Sequence, residues 1–200
     1  MTREEVAASQ RARLLEAMVA GLAEKGWADV TIADLVQRAG VSRAAFYEHF
    51  ADKEACLLAA YDRWAHGVLS AMTLDLPQDG DWDGFVQRSL HGYLGALDAD
   101  RDAALAFLVR MEEAGPEARR RRREAMHGFA ALLIERHKRW RERNPQLGPL
   151  PDLVFVGFTL SVRELVRERL EERPDGELVE LVPVLLTFLT ALVQGAAAAA

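Results

Sequence analysis

The sequence has little cysteine and no excess of positive charge. Cys56 is the one cysteine among 200 residues, so no disulfide can form within the chain. With a polar N-terminus that shows no signal-like leader, this favours a cytoplasmic protein, and we expect Cys56 to act as a small core hydrophobe. The formal net charge of −6, from 25 Lys and Arg against 31 Asp and Glu, argues against nonspecific coating of nucleic acid.

Long apolar runs and strand-like alternation are also missing. The most apolar stretch, residues 178–195, contains Glu180, Pro183 and Gln194. It falls short of the roughly 20 clean apolar residues of a membrane span, so we expect a buried or interfacial helix and no membrane partner. Apolar residues recur with the helical period throughout, which predicts an all-α fold of about nine helices, including single helices over 101–114 and 176–195.

Chemical motifs are absent as well. The histidines at 49, 66, 91, 127 and 137 do not combine with a second ligand residue at a metal-site spacing. No glycine-rich phosphate loop and no nucleophile elbow occurs. We therefore expect no metal, no cofactor and no enzymatic activity.

What the sequence does contain is a compact two-helix motif in residues 31–53. Thr31 and Asp34 have the spacing of a capping box before an apolar set, and Ser42 can cap a second helix. Gly40 stands between them, where the chain must turn sharply. A short helix, a turn with glycine and a second short helix make up a helix-turn-helix pattern.

The second helix of this motif has two different faces. Phe46 and Phe50, four residues apart, are expected to face the core, which leaves Arg43, Ala44 and Tyr47 outward. Arginine is the natural donor to guanine O6 and N7, and small side chains permit close approach to a groove. The same pattern fits the corner of a helical bundle that never meets DNA. The net charge of −2 over residues 1–60, seven Lys and Arg against nine Asp and Glu, means that any DNA contact depends on a few aimed side chains.

The stretch TIADLVQRAGVSRAAFYEHFADKEACL resembles the N-terminal domain of the tetracycline-repressor (TetR) family of bacterial transcription regulators. The resemblance rests on Thr31, Ala39-Gly40-Val41-Ser42, Phe46-Tyr47, His49-Phe50 and Lys53-Glu54. It implies a helix-turn-helix domain over residues 1–52 and a larger ligand-binding and dimerisation domain over 53–195. It also implies DNA contacts from Thr31, Ser42, Arg43, Ala44, Tyr47, His49 and Lys53. Glu48 departs from the family pattern, because it brings a negative charge close to the expected DNA groove.

Two further sets of residues are predicted in the rest of the chain. Ligand pockets are mostly apolar with a few polar groups, and the candidates here are Trp64, Phe85, His91, Tyr93, Phe107, Met111, Met126, His127 and Phe129. The resemblance implies a homodimer formed by the last two helices, whose candidate contacts are Phe155, Phe158, Val162, Leu178, Leu181, Val182, Leu185, Leu189 and Leu192. Each of the pocket candidates also fits a simple role in core packing. The run Arg119–Arg123 covers every face of a helix and is expected to be a solvated surface.

The sequence therefore predicts a ligand-responsive repressor. It would bind a palindromic DNA operator as a homodimer and be released by a small, largely apolar effector. The alternative is a helical protein-interaction module whose helix-turn-helix does not read DNA.

Overall fold

The computed structural model describes residues 2–74, 82–145 and 148–198. Within these ranges the chain is helical and contains no strand. The α-helices are α1 (Arg3–Asp29), α2 (Ile32–Ala39), α3 (Arg43–His49), α4 (Lys53–Thr73), α5 (Trp82–Ala99), α6 (Arg101–Leu108), α7 (Pro116–Arg143), α8 (Asp152–Glu172) and α9 (Val182–Ala198). The predicted all-α class is confirmed.

Two predicted helices are interrupted by 3-10 turns. After α6 the chain leaves the α-helical path at Val109 and continues as a 3-10 turn over Arg110–Ala114. Before α9, the segment Leu178–Leu181 is also a 3-10 turn, and both carboxylate oxygens of Asp98 accept backbone N–H bonds there at 2.9–3.1 Å. Local periodicity did not reveal this side-chain cap, which comes from a residue 80 positions earlier in the sequence.

The chain divides into two compact units. The first unit comprises Met1–His66 and Asp100–Arg121, and the second comprises Gly67–Ala99 and Arg122–Ala200. Helix α4 begins in the first unit and ends in the second. The boundary between residues 52 and 53 that the resemblance implies stays a prediction.

The core of the first unit is assembled from α1, α2, α3, α4 and α6. Its fully covered side chains include Leu14, Met18, Leu22, Leu35, Phe46, Leu57, Tyr61 and Phe107. Cys56 has no exposed surface, and burial raises the pKa of its thiol to about 12, so the group stays protonated. This agrees with its expected role as a small core hydrophobe.

In the second unit, most residues predicted for a dimer interface lie inside the single chain. Phe155, Phe158, Val162, Leu178, Leu181, Val182, Leu185 and Leu189 are at most 8% exposed, and Leu192 is half-buried. A side chain that its own chain covers offers no area to a partner. The same helices do carry exposed apolar side chains elsewhere, at Leu153, Leu160, Val184 and Phe188. Most of the predicted set is thus covered within the single chain, Leu192 is half-buried, and which residues form an interface stays a prediction.

Leu178–Gly195 is the one stretch of the described chain that is long and apolar enough to cross a membrane, with a mean hydropathy of 1.9. Core helices of soluble proteins pass the same test of length and composition. Here the stretch starts with the 3-10 turn that Asp98 caps, and α9 then packs against α5. This packing agrees with the prediction of a buried or interfacial helix.

Gly92 lets α5 and the end of α4 come into backbone contact. A Cβ atom at this position would lie 2.2 Å from the carbonyl oxygen of Ala71 and 3.1 Å from the Cα of Met72. Neither atom belongs to a flexible side chain, so the helices would have to separate. A Cβ atom at Gly95, one turn later in α5, would meet no neighbouring atom within 4 Å.

We expect Gly92→Ala to lower the free energy of unfolding by about 1–3 kcal/mol, the range typical of overpacking a tight contact. Gly95→Ala is the matched control and should raise it by up to about 1 kcal/mol, because alanine favours a helix interior. Urea denaturation of both variants measures the difference. Equal effects of the two substitutions would contradict the close contact at Gly92.

Candidate nucleic-acid interface and internal cavity

Helix α2 begins with a capping box reinforced by an ion pair. The Thr31 hydroxyl accepts the Asp34 N–H at 3.2 Å, and the Asp34 carboxylate accepts the Thr31 N–H at 2.9 Å. The Lys25 ammonium donates to the same carboxylate at 2.6 Å. These contacts, led by the Lys25 hydrogen bond, hold the pKa of Asp34 well below its usual range. Thr31, a predicted DNA contact, is exposed and caps the helix.

The turn between α2 and α3 depends on Gly40. Its φ of 61° lies in the left-handed region, and the N–H of Val41 closes the turn on the carbonyl of Val36 at 3.1 Å. The guanidinium of Arg13 in α1 donates to the Ala39 carbonyl at 2.6 Å, which ties the end of α2 to the first helix. Ser42 then caps α3 by accepting the Ala45 N–H at 3.0 Å.

Helix α3 presents its two faces as the sequence pattern predicts. Phe46 and Phe50 are 0% and 5% exposed, and their ring centroids lie 5.8 Å apart. The opposite face is open to solvent and consists of Ser42, Arg43, Ala44, Tyr47 and Glu48. Burial of one face thus fixes which side chains the helix offers to a binding partner.

Arg43 and Tyr47 interact on that open face. The Arg43 guanidinium donates to the Tyr47 hydroxyl at 3.4 Å, and its Cζ lies 5.8 Å from the centre of the tyrosine ring. Such an exposed cation–π contact contributes only about 0.5–1 kcal/mol. The arginine is therefore positioned above the helix but remains able to turn toward another acceptor.

His49, the last residue of α3, and Lys53, the first residue of α4, both make contacts within the first unit. Nε2 of His49 is 3.4 Å from Oε1 of Gln10 in α1. Nζ of Lys53 donates to the carbonyls of Trp27 and Val30 at 2.8 and 2.9 Å and lies 4.0 Å from the centre of the Trp27 ring. Burial lowers the pKa of this ammonium. Because an ammonium has three donors, at most one of them is left for a phosphate.

The part of the sequence that forms this motif also matches a known protein family. Residues 14–60 match the model of the family described as bacterial regulatory proteins, tetR family. This segment belongs to the tetR family. The sequence matches no curated protein.

Solved structures extend the likeness to the fold of the whole chain. FadR from Bacillus subtilis, solved in complex with stearoyl-CoA, is similar with a TM-score of 0.80 at 18% identity, over 92% of this chain and 98% of that one. The fatty acid degradation regulator FadR from Bacillus halodurans has a TM-score of 0.77 at 20% identity, over 90% and 94%. A tetR-family regulator from Streptomyces coelicolor has a TM-score of 0.75 at 19% identity, over 100% and 85%. At these identities the likeness establishes the fold alone.

The second unit contains a cavity of about 40 Å³. It lies among α4, α5, α7 and α8 and is lined by Met72, Val86, Ser89, Leu90, Tyr93, Met126, Phe129, Leu133, Phe158, Thr159 and Val162. None of these lining residues is charged. The cavity is far smaller than the about 300–1,000 Å³ of ordinary ligand pockets.

The structure brings three of the predicted pocket residues to this cavity, namely Tyr93, Met126 and Phe129. The rings of Trp64 and Phe107 instead contact each other in the first unit, tilted by 43° with their centroids 5.1 Å apart, and Met111 is also buried there. Phe85 is buried beside Trp82 and beneath the Arg136 guanidinium. His91 and His127, the two expected polar groups, are exposed and do not line the cavity.

Ser89 and Thr159 are hydroxyl-bearing residues that line the cavity and were not predicted from the sequence. A single serine or threonine inside an amphipathic helix gives no signal of its own. The position of Ser89 follows from the helical spacing of Val86, Leu90 and Tyr93 around it, once α5 is known to face α7 and α8.

The arginine run is partly paired within the described chain. Arg120 forms an ion pair with Glu117, and Arg121 donates to Asp62 at 2.8 Å in the first unit. Arg119 and Arg123 are exposed. This agrees with the expected solvated surface.

The Asp34 contacts predict a pH dependence of stability. Because the pKa of Asp34 is lower in the folded chain than its ordinary value of 3.8, the stabilisation is fully present above pH 3.8 and is lost as the pH falls below it. Asp34→Asn should therefore have a lower urea midpoint than the parent chain at pH 7, and the gap should narrow as the pH falls below 3.8.

Glu48→Gln is the control for this comparison, because it removes an exposed carboxylate from the same motif. The urea midpoint of Glu48→Gln should equal that of the parent chain both at pH 7 and below pH 3.8. A gap for Asp34→Asn that is unchanged at low pH would mean that the carboxylate charge is not what holds the cap.

Proposed function

We propose that the protein is a homodimeric transcription repressor that binds a palindromic DNA operator through α3 and is released by a small, largely apolar effector. The observation that carries this proposal is the open face of α3, with Arg43, Ala44 and Tyr47 presented on a capped helix-turn-helix of the tetR family. A protein that reads DNA in a bacterial cell acts in the cytoplasm.

In this proposal some residues of the motif read the base sequence and others bind phosphates. Arg43 donates to guanine O6 and N7 in the major groove, and the methyl group of Ala44 contacts a thymine methyl. Tyr47 and His49 hold phosphates, which fixes register without reading sequence. Thr31 and Ser42, the N-caps of α2 and α3, make further DNA contacts. Lys53 adds at most one phosphate contact, because its other donors are held by α1.

The acidic character of the chain limits how this binding works. With a net charge of −6, the protein gains little from general attraction to DNA and depends on the few aimed side chains. Glu48 lies on the same face and excludes sequences that offer no donor to it. The proposed binding is accordingly specific, moderate in affinity and sensitive to salt.

Dimerisation is proposed through the exposed faces of α8 and α9. Leu153 and Leu160 are 75% and 47% exposed, and Val184 and Phe188 are 58% and 39% exposed. Leu153, Gly157 and Leu160 share one face of α8, while Val184, Phe188 and Ala191 share one face of α9. The small residues allow close helix approach, and a second copy would bury both stripes. A two-fold dimer also matches a palindromic operator.

The cavity of the second unit supports an apolar effector. Its lining is almost wholly hydrocarbon, and the similar B. subtilis FadR was solved with stearoyl-CoA, which carries a long apolar chain. At about 40 Å³ the cavity has to be pushed open to admit such a molecule. Met72 and Met126 are flexible enough to be displaced.

Opening the cavity provides a route to the DNA-binding unit. Met72 lies near the end of α4, and Lys53 begins the same helix. Displacing Met72 would move α4 and alter how the two α3 helices of the dimer match successive grooves. A 100-fold loss of DNA affinity needs a coupling of about 2.7 kcal/mol between effector and operator.

Selection of binding sites from random duplex DNA tests the reading role. The full-length protein should enrich a palindrome, and Arg43→Ala should relax the preference at one base pair per half-site and cost about 1–3 kcal/mol. Arg63→Ala is the control, since it removes an exposed arginine of α4 with the same change of charge. Failure to enrich any palindrome would favour the protein-interaction module.

Substitution of the exposed stripe tests the dimer. Phe188→Asp should yield folded monomers, because it places a charge in the proposed contact. It also removes a ring that lies 5.7 Å from that of buried Phe158, so the fold of the variant has to be checked. Leu165→Asp, at a 40% exposed leucine on another face of α8, should stay dimeric. Light scattering gives the mass and circular dichroism confirms the fold. A dimer that survives Phe188→Asp would refute this interface.

A further inference from the structure

The cavity in the second unit has an apolar lining with hydroxyl groups and no charge. Its polar members are Ser89, Tyr93 and Thr159, and the remaining lining residues are aliphatic, aromatic or methionine. The hydroxyls differ in what they already contact, and this difference tells which of them is available to a ligand.

Ser89 is the unusual one. Its side chain is buried, with the residue 2% exposed, and its Oγ has no hydrogen-bond partner among the described residues. Hydroxyls in other helices of the chain bond to the carbonyl four residues earlier: Thr159 to Phe155 at 3.2 Å, Ser161 to Gly157 at 2.9 Å and Thr187 to Pro183 at 2.8 Å. Ser89 does not make this bond. Its Oγ is covered in the free protein, and the residue borders the cavity that an effector would have to open.

A buried hydroxyl without a partner is costly, and native proteins rarely keep one without a reason. Resting on the effector site proposed above, we propose that Ser89 donates its hydroxyl hydrogen to an uncharged oxygen of the effector. The effector is then an apolar molecule with a neutral carbonyl group, such as a ketone, an ester or a thioester, held at the level of Ser89 in α5.

The absence of charge from the lining determines the chemical class. A carboxylate placed against Val86, Leu90, Met126 and Phe129 would lose its hydration and find no cation among the residues that line the cavity. A neutral carbonyl loses far less hydration and gains the hydrogen bond of Ser89. The site therefore discriminates a neutral acyl derivative from the corresponding free acid.

Three probes of similar length test this discrimination on the full-length protein: octan-2-one, 1-chlorooctane and octanoate at pH 7.5. Isothermal titration calorimetry should find octan-2-one bound at least about tenfold more tightly than octanoate. Ser89→Ala should weaken octan-2-one by roughly three- to tenfold, the effect of one neutral hydrogen bond, and leave 1-chlorooctane within about twofold.

Thr159→Val is the matched control inside the same cavity. The Thr159 hydroxyl already donates to the carbonyls of Phe155 and Val156, so its loss should not change the affinity for octan-2-one relative to 1-chlorooctane. Equal weakening of both neutral probes by Ser89→Ala, or tighter binding of octanoate than of octan-2-one, would overturn the proposal.

The stability of the free protein gives a second, independent readout. Because Ser89→Ala removes a buried hydroxyl that has no partner in the described chain, it should raise the urea midpoint, whereas Thr159→Val should not. A lower midpoint for Ser89→Ala would mean that the hydroxyl is already satisfied and would overturn the proposal.

These assays contain no DNA, so they separate this inference from the regulatory function. Carbonyl recognition by Ser89 without an enriched operator would sink the repressor and leave the binding site intact. Operator release by a ligand whose affinity is indifferent to Ser89→Ala would do the reverse.

Discussion

The exposed face of α3, which we propose binds DNA, depends on the burial of Phe46. Helix α3 has only seven residues, too few to be stable alone in water, so the packing of Phe46 and Phe50 against the first unit is what holds it. With about 100° between successive residues, fixing Phe46 inward turns Ala44 and Tyr47 away from the core, and Arg43 in the first turn is exposed as well. The side chains that would read DNA are therefore oriented by hydrophobic packing on the opposite side of the helix.

Much of this motif could be predicted because its contacts are local. The Thr31–Asp34 capping box, the left-handed Gly40 and the Ser42 cap each involve residues within a few positions, so the sequence pattern encodes them directly. The contacts that lock the motif in place could not be predicted in the same way. The Lys53 ammonium reaches the carbonyl of Trp27, 26 positions away, and only the folded path of α1 and α4 brings them together.

The helices at the end of the chain show where periodicity stops being informative. An apolar stripe indicates that a side chain is covered, but not whether its own chain or a second copy covers it. Leu185 and Phe188 lie three positions apart in α9, yet the first is 1% exposed and the second is 39% exposed. The same limit applies to the pocket: Trp64 and Phe129 are both large aromatic residues in helices, and only Phe129 reaches the cavity.

The cavity and the close contact at Gly92 together constrain how an effector signal could travel. Met72 lines the cavity, while the backbone of Ala71 and Met72 touches Gly92, where not even a Cβ atom would fit. A ligand that enlarges the cavity can displace the Met72 side chain. The backbone at this end of α4 is already in contact with Gly92 and cannot move closer to α5. When the Met72 side chain has no further rotamer to adopt, further expansion of the cavity would move α4 as a rigid element. The same helix begins at Lys53, whose ammonium donates to the carbonyls of Trp27 and Val30, so in the proposed mechanism the signal travels along α4.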